Sequence, residues 1–288
     1  YFNMFTARGN EFLPYILGDT DTPMPLFVKP DRKISVQDVK NAMRDHYEGT
    51  PLDISKDFGA GPYHTPYRLS PLSFKVGDKE YFNERPISTQ QSGFVFVAQM
   101  RSTLPDAIGG VLWFGTDDAN MTVFTPVYCC TDKVPVCYSR VDGADYITFS
   151  WNSSFWIFNW VSNMVYPRYD LMIGDVRATQ NELETTFNEA QEGIESAAAK
   201  LLEKDPAKAK AFLTNYTNMT AQSAFDTWKR LGEFIIVKYN DGVVRKMKDG
   251  KFERNAIGQP AGVVRPGYPK EFLEEYVKQT GDRYKMPD

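Results

Sequence analysis

The sequence predicts an α+β protein in which an antiparallel sheet and a set of long helices occupy separate stretches of the chain. Between residues 73 and 138, aromatic and β-branched residues are dense and are bounded by turn formers, which is typical of antiparallel strands. From about residue 152 the pattern changes to long stretches with helical periodicity. Because strands and helices are grouped and do not alternate, the pattern disfavours a parallel βαβ arrangement.

The composition favours a globular protein. The chain has 288 residues, of which 42% are hydrophobic, and this is ample material for a packed core. Its formal net charge of -4 argues against a basic surface for nucleic acid, so we predict no nucleic-acid partner. The longest apolar run, residues 155–166, has about 12 residues where a bilayer needs about 20, so we predict a buried helix and no membrane partner.

Turn and capping residues set the elements that precede the sheet. Residues 1–34 are rich in proline and turn formers, and we expect them to be irregular. Ser35 is a suitable N-cap, and Asp38 stands at the third helical position of a capping box, so a helix is predicted to start there and to end at Gly49. A glycine- and proline-rich loop follows at residues 57–68, and Gly77 with Asp78 predicts the turn of a hairpin.

The helical half of the chain shows its own boundaries. Pro167 predicts a break between a helix rich in tryptophan and phenylalanine and a longer one after it. A second long helix begins at Asp205, with Pro206 at its first position. The stretch 234–253 predicts a hairpin turning at Asn240–Gly242, and a helix closes the chain. We therefore expect a sheet part at residues 1–150 and a helical part at 151–288, which belongs to the same domain or forms a small appendage.

Polar residues inside the apolar strands are the candidate site. Gln90 and Gln91 lie in the stretch "STQQSG", and we expect one of them to face the core, where an amide needs about four hydrogen-bond partners. That stretch is a pocket candidate or a structural polar network. Asp117 and Asp118 would face opposite sides of a strand, so a turn that binds backbone N–H groups is the main interpretation and substrate binding the alternative. Asn120 suits either role.

The remaining titratable residues form no catalytic set. His46 is interpreted as a helix-terminal histidine and His64 as a loop histidine, and their separation gives no metal-ligand spacing. Arg101 could bind a carboxylate or form a surface ion pair. Three cysteines at 129, 130 and 137 are structural thiols or include one disulfide, and they lack zinc spacing. The charged stretch 182–210 is interpreted as a solvated helix face.

Four segments carry a family resemblance: residues 25–53, 57–68, 81–129 and 146–177. From about residue 25 to about 190 the chain resembles the C-terminal part of the secreted cysteine dipeptidases, a bacterial branch of the N-terminal-nucleophile hydrolases. The resemblance implies an αββα sandwich and hydrolysis of dipeptides or short peptides. It also implies a cysteine nucleophile at the first position of the mature protein, with its own α-amino group as general base, and no metal or cofactor.

Position 1 of this sequence is tyrosine, so the nucleophile is expected upstream of Tyr1 and no catalytic residue is assigned within the chain. The chain is thus interpreted as a C-terminal fragment that is inactive alone, with the missing N-terminal portion as a partner. Gln91, Ser92, Asp118 and Asn120 are expected to line the substrate cleft. Export from the cytoplasm is expected from the family. The alternatives are a related acylase, whose pocket would be apolar, and a non-catalytic binding subunit.

Overall fold

The computed structural model describes residues 2–69 and 73–287, and in them the α+β class is confirmed. The helices of these residues are α1 (Leu13–Leu17), α2 (Val36–Met43), α3 (Asp106–Gly109), α4 (Ser154–Val165), α5 (Tyr169–Leu202), α6 (Pro206–Tyr239) and α7 (Lys270–Thr280). The strands are β1 (Ser73–Val76), β2 (Lys79–Phe82), β3 (Phe94–Met100), β4 (Gly110–Thr116), β5 (Thr125–Tyr128), β6 (Val244–Arg245), β7 (Met247–Lys248), β8 (Lys251–Phe252) and β9 (Val263–Val264).

The capping box of α2 is confirmed. The Ser35 hydroxyl accepts from the backbone N–H of Asp38 at 3.1 Å, and the Asp38 carboxylate accepts from the backbone N–H of Ser35 at 2.8 Å. The prediction that this helix continues to Gly49 was wrong, because α2 ends at Met43. Beyond that point the backbone turns, and Tyr47 adopts a φ of 65°, which a right-handed helix does not allow.

The central sheet has three antiparallel strands in the order β3-β4-β5. Phe94 pairs with Thr116 at one end of the β3–β4 ladder and Met100 with Gly110 at the other. Strands β1 and β2 form a separate hairpin that turns at Gly77 and Asp78, as predicted. The prediction of a single sheet over residues 73–138 was therefore wrong in extent, since both hairpin strands are exposed along their whole length and bury no common face.

The inner face of the sheet packs on the helices. Val95, Val97, Val111 and Trp113 alternate with outward residues and are buried, and complete burial of a large apolar side chain contributes roughly 2–3 kcal/mol. One hydrophobic core joins this face to α4, α5 and α6. Residues from both sides of position 150 belong to this core. The division into a sheet part and a helical part at that position stays a prediction.

The outer face of the sheet is apolar but open. Phe94, Phe96 and Met100 are 59%, 48% and 62% exposed. Phe94 and Phe114 stack across β3 and β4 with ring centroids 6.1 Å apart. This sheet therefore has apolar residues on both faces: α4, α5 and α6 cover the inner face, whereas on the outer face Tyr138 contacts Phe114 with ring centroids 5.1 Å apart and Phe94, Phe96 and Met100 stay exposed.

The break at Pro167 is confirmed by a short 3₁₀ turn, Tyr166–Arg168, between α4 and α5. The predicted hairpin turn at Asn240–Gly242 was wrong, because α6 continues to Tyr239 and those residues end the helix. Ile235 and Tyr239, four positions apart, are both buried on its core side, and this packing outweighs the strand preference of the local sequence. The hairpin forms further on, between β7 and β8.

The C-terminal segment lies against the glycine-rich loop. Helix α7 places Phe272 on Phe58 with parallel rings 6.4 Å apart, and the Tyr63 hydroxyl donates to the carbonyl of Gly267 at 3.0 Å. Within residues 2–69 and 73–287, no helix has both the length and the apolar character that crossing a bilayer would require.

Candidate functional site

The four predicted cleft residues lie at one end of the sheet. Gln91 and Ser92 precede β3, and Asp118 and Asn120 follow β4. Because these strands are antiparallel, the start of β3 and the end of β4 are neighbours. The structure therefore brings the two predicted segments together, and their role in binding substrate stays a prediction.

Asp118 is fully buried in a hydrogen-bonded turn. Its carboxylate accepts from the backbone N–H of Met121 at 3.1 Å and from the hydroxyls of Ser88 at 3.2 Å and Tyr166 at 3.1 Å. The turn interpretation of this residue is thus confirmed. Burial raises the pKa of the Asp118 carboxyl, although the hydrogen bonds from Met121 and Tyr166 and the charge of the nearby His46 act in the opposite direction.

Asn120 is the centre of the buried cluster. Its backbone N–H donates to the Ser88 hydroxyl at 2.9 Å. Its side-chain amide donates to the hydroxyls of Tyr166 at 3.3 Å and Tyr169 at 3.2 Å. Both of its oxygens accept from Arg177, the backbone carbonyl at 2.8 Å and the side-chain oxygen in a second, short bond. The side chain is therefore held in one orientation with all its polar atoms engaged.

Arg177 reaches this cluster from α5. Besides Asn120 it donates to the Gln180 amide oxygen at 2.7 Å. Within the described parts of the chain it makes no ion pair, and the acceptors of its hydrogen bonds are neutral oxygens. A positive charge without a carboxylate partner in a half-buried place is suited to stabilise negative charge on a ligand.

The stretch "STQQSG" lies beside this cluster, at the surface. Gln91 is exposed, and its amide donates to the Tyr67 hydroxyl at 2.9 Å. Gln90 is half-buried and donates to the side-chain oxygen of Asn163 at 3.2 Å. The expectation that one of the two glutamines faces the core was wrong, because β3 starts only at Phe94 and the alternation of strand faces does not yet apply.

Asp117 is held in an unusual environment. Its φ is 70°, and its side chain is fully buried with one oxygen bound by the Asn159 amide at 2.9 Å. Its other oxygen has no hydrogen-bond partner. Burial, together with the charge of Asp118, raises the pKa of the Asp117 carboxyl well above its ordinary value, so this group is kept neutral over a wider pH range.

His46 is a buried residue, and its predicted place at a helix end was wrong. It lies after α2, and its Nδ1 is 2.9 Å from the carboxylate of Glu48, which also accepts from the His46 backbone N–H at 2.8 Å. Its other ring nitrogen is buried without a partner. Burial acts to raise the pKa of Glu48, but the hydrogen bonds and charge of His46 outweigh it and lower that pKa. His64 is an exposed loop histidine, as predicted, 2.5 Å from Asp170.

The cysteines and Arg101 lie away from the cluster. Arg101 makes a two-pronged ion pair with Glu195 at 2.6 and 2.7 Å, at the opposite end of β3. Cys129 also lies at that end, bonded through its backbone to Gly110, and all three cysteines are free, so the disulfide alternative is not formed. Burial raises the pKa of the Cys137 thiol to about 12, so it is a poor nucleophile.

Sequence reasoning missed four members of the cluster, namely Tyr166, Tyr169, Arg177 and Gln180. The interpretation of residues 182–210 as a solvated face also failed for Glu184, which is buried. The helical spacing of residues on α5 could have indicated that Gln180 and Glu184 are buried, because they fall among the apolar positions 176, 183 and 187 of one helix face. Among the described residues no group of histidine, cysteine and acidic side chains is arranged to hold a metal.

Comparison with known proteins identifies the family. The model of peptidase family C69 matches residues 1–182, which include every member of the cluster. Probable dipeptidase B of Lactococcus lactis is 27% identical over 247 residues, covering 82% of this chain and 45% of the relative. A probable dipeptidase of Salmonella dublin is 32% identical over 119 residues, or 41% of this chain and 23% of the relative.

Dipeptidase A of Lactobacillus helveticus is 26% identical over 137 residues, or 48% of this chain and 24% of that protein. The chain spans less than half the length of the curated relatives it matches. The family model nevertheless covers well over half of the chain. This protein therefore belongs to peptidase family C69.

Proposed function

We propose that the chain is the C-terminal part of a cysteine-type dipeptidase that cleaves dipeptides or short peptides. The observation that carries the proposal is the match of residues 1–182 to a peptidase family, because those residues hold the whole cluster around Asn120 and Arg177. The dipeptidase names of the relatives support the substrate class.

In the proposed mechanism the nucleophile is a cysteine that lies outside these 288 residues. Its thiolate attacks the peptide carbonyl carbon, and the carbonyl oxygen becomes an oxyanion. The guanidinium of Arg177, which has no carboxylate partner among the described residues, is the candidate group that stabilises this charge, and Asn120 positions it. The amine then leaves with a proton, and water hydrolyses the thioester to release the acyl group.

The outer face of the sheet supports the expected αββα arrangement. Phe94, Phe96 and Met100 are exposed on this face, which the described residues cover only in part, since Tyr138 packs edge-on against Phe114 with ring centroids 5.1 Å apart. A contiguous exposed apolar patch of this kind marks a place where another layer packs. We propose that a second sheet of the longer protein packs there, and that the cluster lies at the edge of the resulting interface.

The polar character of the cluster favours a peptidase over the related acylases. An acylase pocket would be apolar, whereas Asn120, Arg177 and the Tyr169 hydroxyl present polar groups. Glu48 adds a half-exposed carboxylate near Tyr169 that could receive the ammonium group of a peptide. Arg101, for which carboxylate binding and an ion pair were both open, is paired with Glu195. The non-catalytic alternative rests only on the absence of a nucleophile from the cluster.

The experiment is to express the longer protein from its gene and to assay release of amino acids from a dipeptide panel. We expect turnover that is lost when the first cysteine of the mature protein is replaced by serine, and no turnover by the 288-residue chain alone. Hydrolysis by the chain alone, or an active protein without such a cysteine, would contradict the proposal. Cell fractionation tests the accompanying proposal that the protein is exported.

A further inference from the structure

A cavity of about 320 Å³ lies next to the cluster. One wall is formed by the loop of residues 59–69, which includes Tyr67. The opposite wall is formed by Gln90, Asn163 and Tyr166. Its volume lies at the lower end of the range of small-molecule sites, so it is sized for one side chain and not for a whole peptide.

Tyr166 connects this cavity to the cluster. Its ring lies 5.7 Å from that of Tyr67. Its hydroxyl donates to Asp118 at 3.1 Å and accepts from the Asn120 amide at 3.3 Å. Tyr166 therefore both lines the cavity and is hydrogen-bonded within the cluster.

The lining of the cavity is neutral. Among the described residues that line it, none carries a charge, and the polar groups are amides, hydroxyls and phenols. The Gln90 amide donates one hydrogen bond, to Asn163, while the Asn163 amide is turned back to Asn159 at 2.8 and 3.1 Å. A charged ligand group would lose hydration here without a counter-charge, whereas an aromatic ring has no charge to desolvate and an amide can replace its bonds to water with bonds to the amides and hydroxyls of the lining.

The walls of the cavity are already in place. The Thr65 hydroxyl donates to the backbone carbonyl of Tyr166 at 2.7 Å, and the Gln91 amide donates to the Tyr67 hydroxyl at 2.9 Å. Arg68, at the end of the loop, is paired with Asp57 at 2.6 Å and Glu84 at 2.9 Å. A preformed pocket binds a side chain without the entropy cost of ordering its own walls.

From this geometry we propose that the cavity is a subsite for one uncharged side chain of the peptide substrate, either an amide or an aromatic one. This inference rests on the proposed function, since it assumes that a peptide lies along the cluster. It assigns a role to the stretch "STQQSG" and to the glycine-rich loop, which the hydrolytic step itself does not use.

The test measures binding and not turnover. The longer protein, with its nucleophilic cysteine replaced by alanine, is titrated calorimetrically with two dipeptide series, Ala-X and X-Ala, in which X is glutamine, tyrosine, lysine or glutamate. In one of the two series we expect the glutamine and tyrosine peptides to bind about ten-fold more tightly than the charged ones. Gln90→Ala and Asn163→Leu should each reduce that preference several-fold, whereas Gln222→Ala, which removes an exposed amide on α6, should leave it unchanged.

Equal affinity for neutral and charged peptides in both series would overturn the subsite, as would an absence of binding or an unaltered preference in both variants. Circular dichroism melts show whether each variant is folded. If Asn163→Leu fails to fold, the change in preference of Gln90→Ala alone tests the subsite. Failure of the longer protein to hydrolyse dipeptides, with selective binding retained, would refute the proposed function and leave the subsite intact.

Discussion

Two arginines bind the loop that follows β4, and their surroundings differ in one respect. Arg44 donates to the carbonyls of Ala119 and Thr122 at 3.0 Å, while Arg177 donates to the carbonyl of Asn120 at 2.8 Å. Arg44 also forms a buried ion pair with Glu184 at 2.5 Å. Arg177 makes no ion pair within the part of the chain that the structure describes.

The difference separates a structural cation from a candidate functional one. Glu184 accepts from both terminal nitrogens of Arg44 and from the backbone N–H of Phe124 at 2.9 Å, so charge and hydrogen bonds are balanced. Such a site has no unsatisfied charge or hydrogen-bonding group with which to bind a ligand. The guanidinium of Arg177 keeps its net charge, which makes it able to respond to negative charge that develops nearby.

The largest expected effect is on stability, at the balanced pair. Arg44→Met should lower the free energy of unfolding by about 3–5 kcal/mol, because it leaves the Glu184 carboxylate buried and unpaired. Urea unfolding followed by circular dichroism measures the loss. The exposed pair Arg8–Glu11 provides the control, since Arg8→Met should have no measurable effect. An Arg44→Met variant as stable as the parent would mean that this pair is not structural.

The next effect is on activity, at the unbalanced arginine. In the longer dipeptidase that we propose, Arg177→Gln should reduce kcat/KM for dipeptides by about 10²–10³-fold, because a donor to developing negative charge is lost. Its unfolding midpoint should change much less than that of Arg44→Met. Arg230→Gln, an exposed arginine on α6, is the matched control and should retain full activity. A loss of stability equal to that of Arg44→Met would remove the distinction between the two arginines.

A third prediction concerns Lys40, which lies beside the balanced pair. Its Nζ is 3.6 Å from the centre of the Trp113 ring, and burial lowers its pKa from 10.5 to about 8. Below pH 8 both the folded and unfolded states hold the proton. Between pH 8 and 10.5 the folded state has lost it while the unfolded state retains it, so stability should rise with pH.

The measurement is the free energy of unfolding of the parent minus that of Lys40→Met between pH 7 and 10.5. This difference should increase with pH, whereas the corresponding difference for Lys208→Met, on an exposed lysine, should stay flat. A flat difference for Lys40 would show that its ammonium is not penalised by burial.

The smallest expected effect is at Asp117, on the side of the candidate site. Because its pKa is raised, the folded state holds a proton that the unfolded state releases as the pH rises above the ordinary carboxyl range. The buried Asp117 carboxyl therefore lowers the free energy of unfolding at pH 7, but it does not do so near pH 4. Asp117→Asn, which tolerates the positive φ, should be modestly more stable than the parent at pH 7, and the gain should vanish towards pH 4. Thermal melts at both values measure it, and a loss at pH 7 would contradict a neutral Asp117.

The sequence predicted those features that depend on neighbours along the chain. The capping box at Ser35, the hairpin turn at Gly77 and the break at Pro167 are each set by a few adjacent residues, and the structure confirms them. The continuation of α6 to Tyr239 could not be predicted in this way, because tertiary packing of Ile235 decides it.

The candidate site was predicted only in part for the same reason. Asp118 and Asn120 stood out as polar residues within an apolar stretch. Their partners Tyr166 and Arg177 lie about fifty positions further along, on the helical layer. Only the packing of that layer on the sheet brings these residues together. The buried polar residues on α5 were the available signal, since helical spacing alone places Gln180 and Glu184 on the core face.

The open outer face of the sheet also has a consequence for biosynthesis. Phe94, Phe96 and Met100 project from a strand whose edge has no neighbour among the described residues. When this region leaves the ribosome, it exposes an apolar aromatic surface beside a strand edge with unpaired backbone amides. Such an edge can pair with other chains and lead to aggregation. Holdase chaperones or prompt docking of another layer would then determine the yield of soluble material.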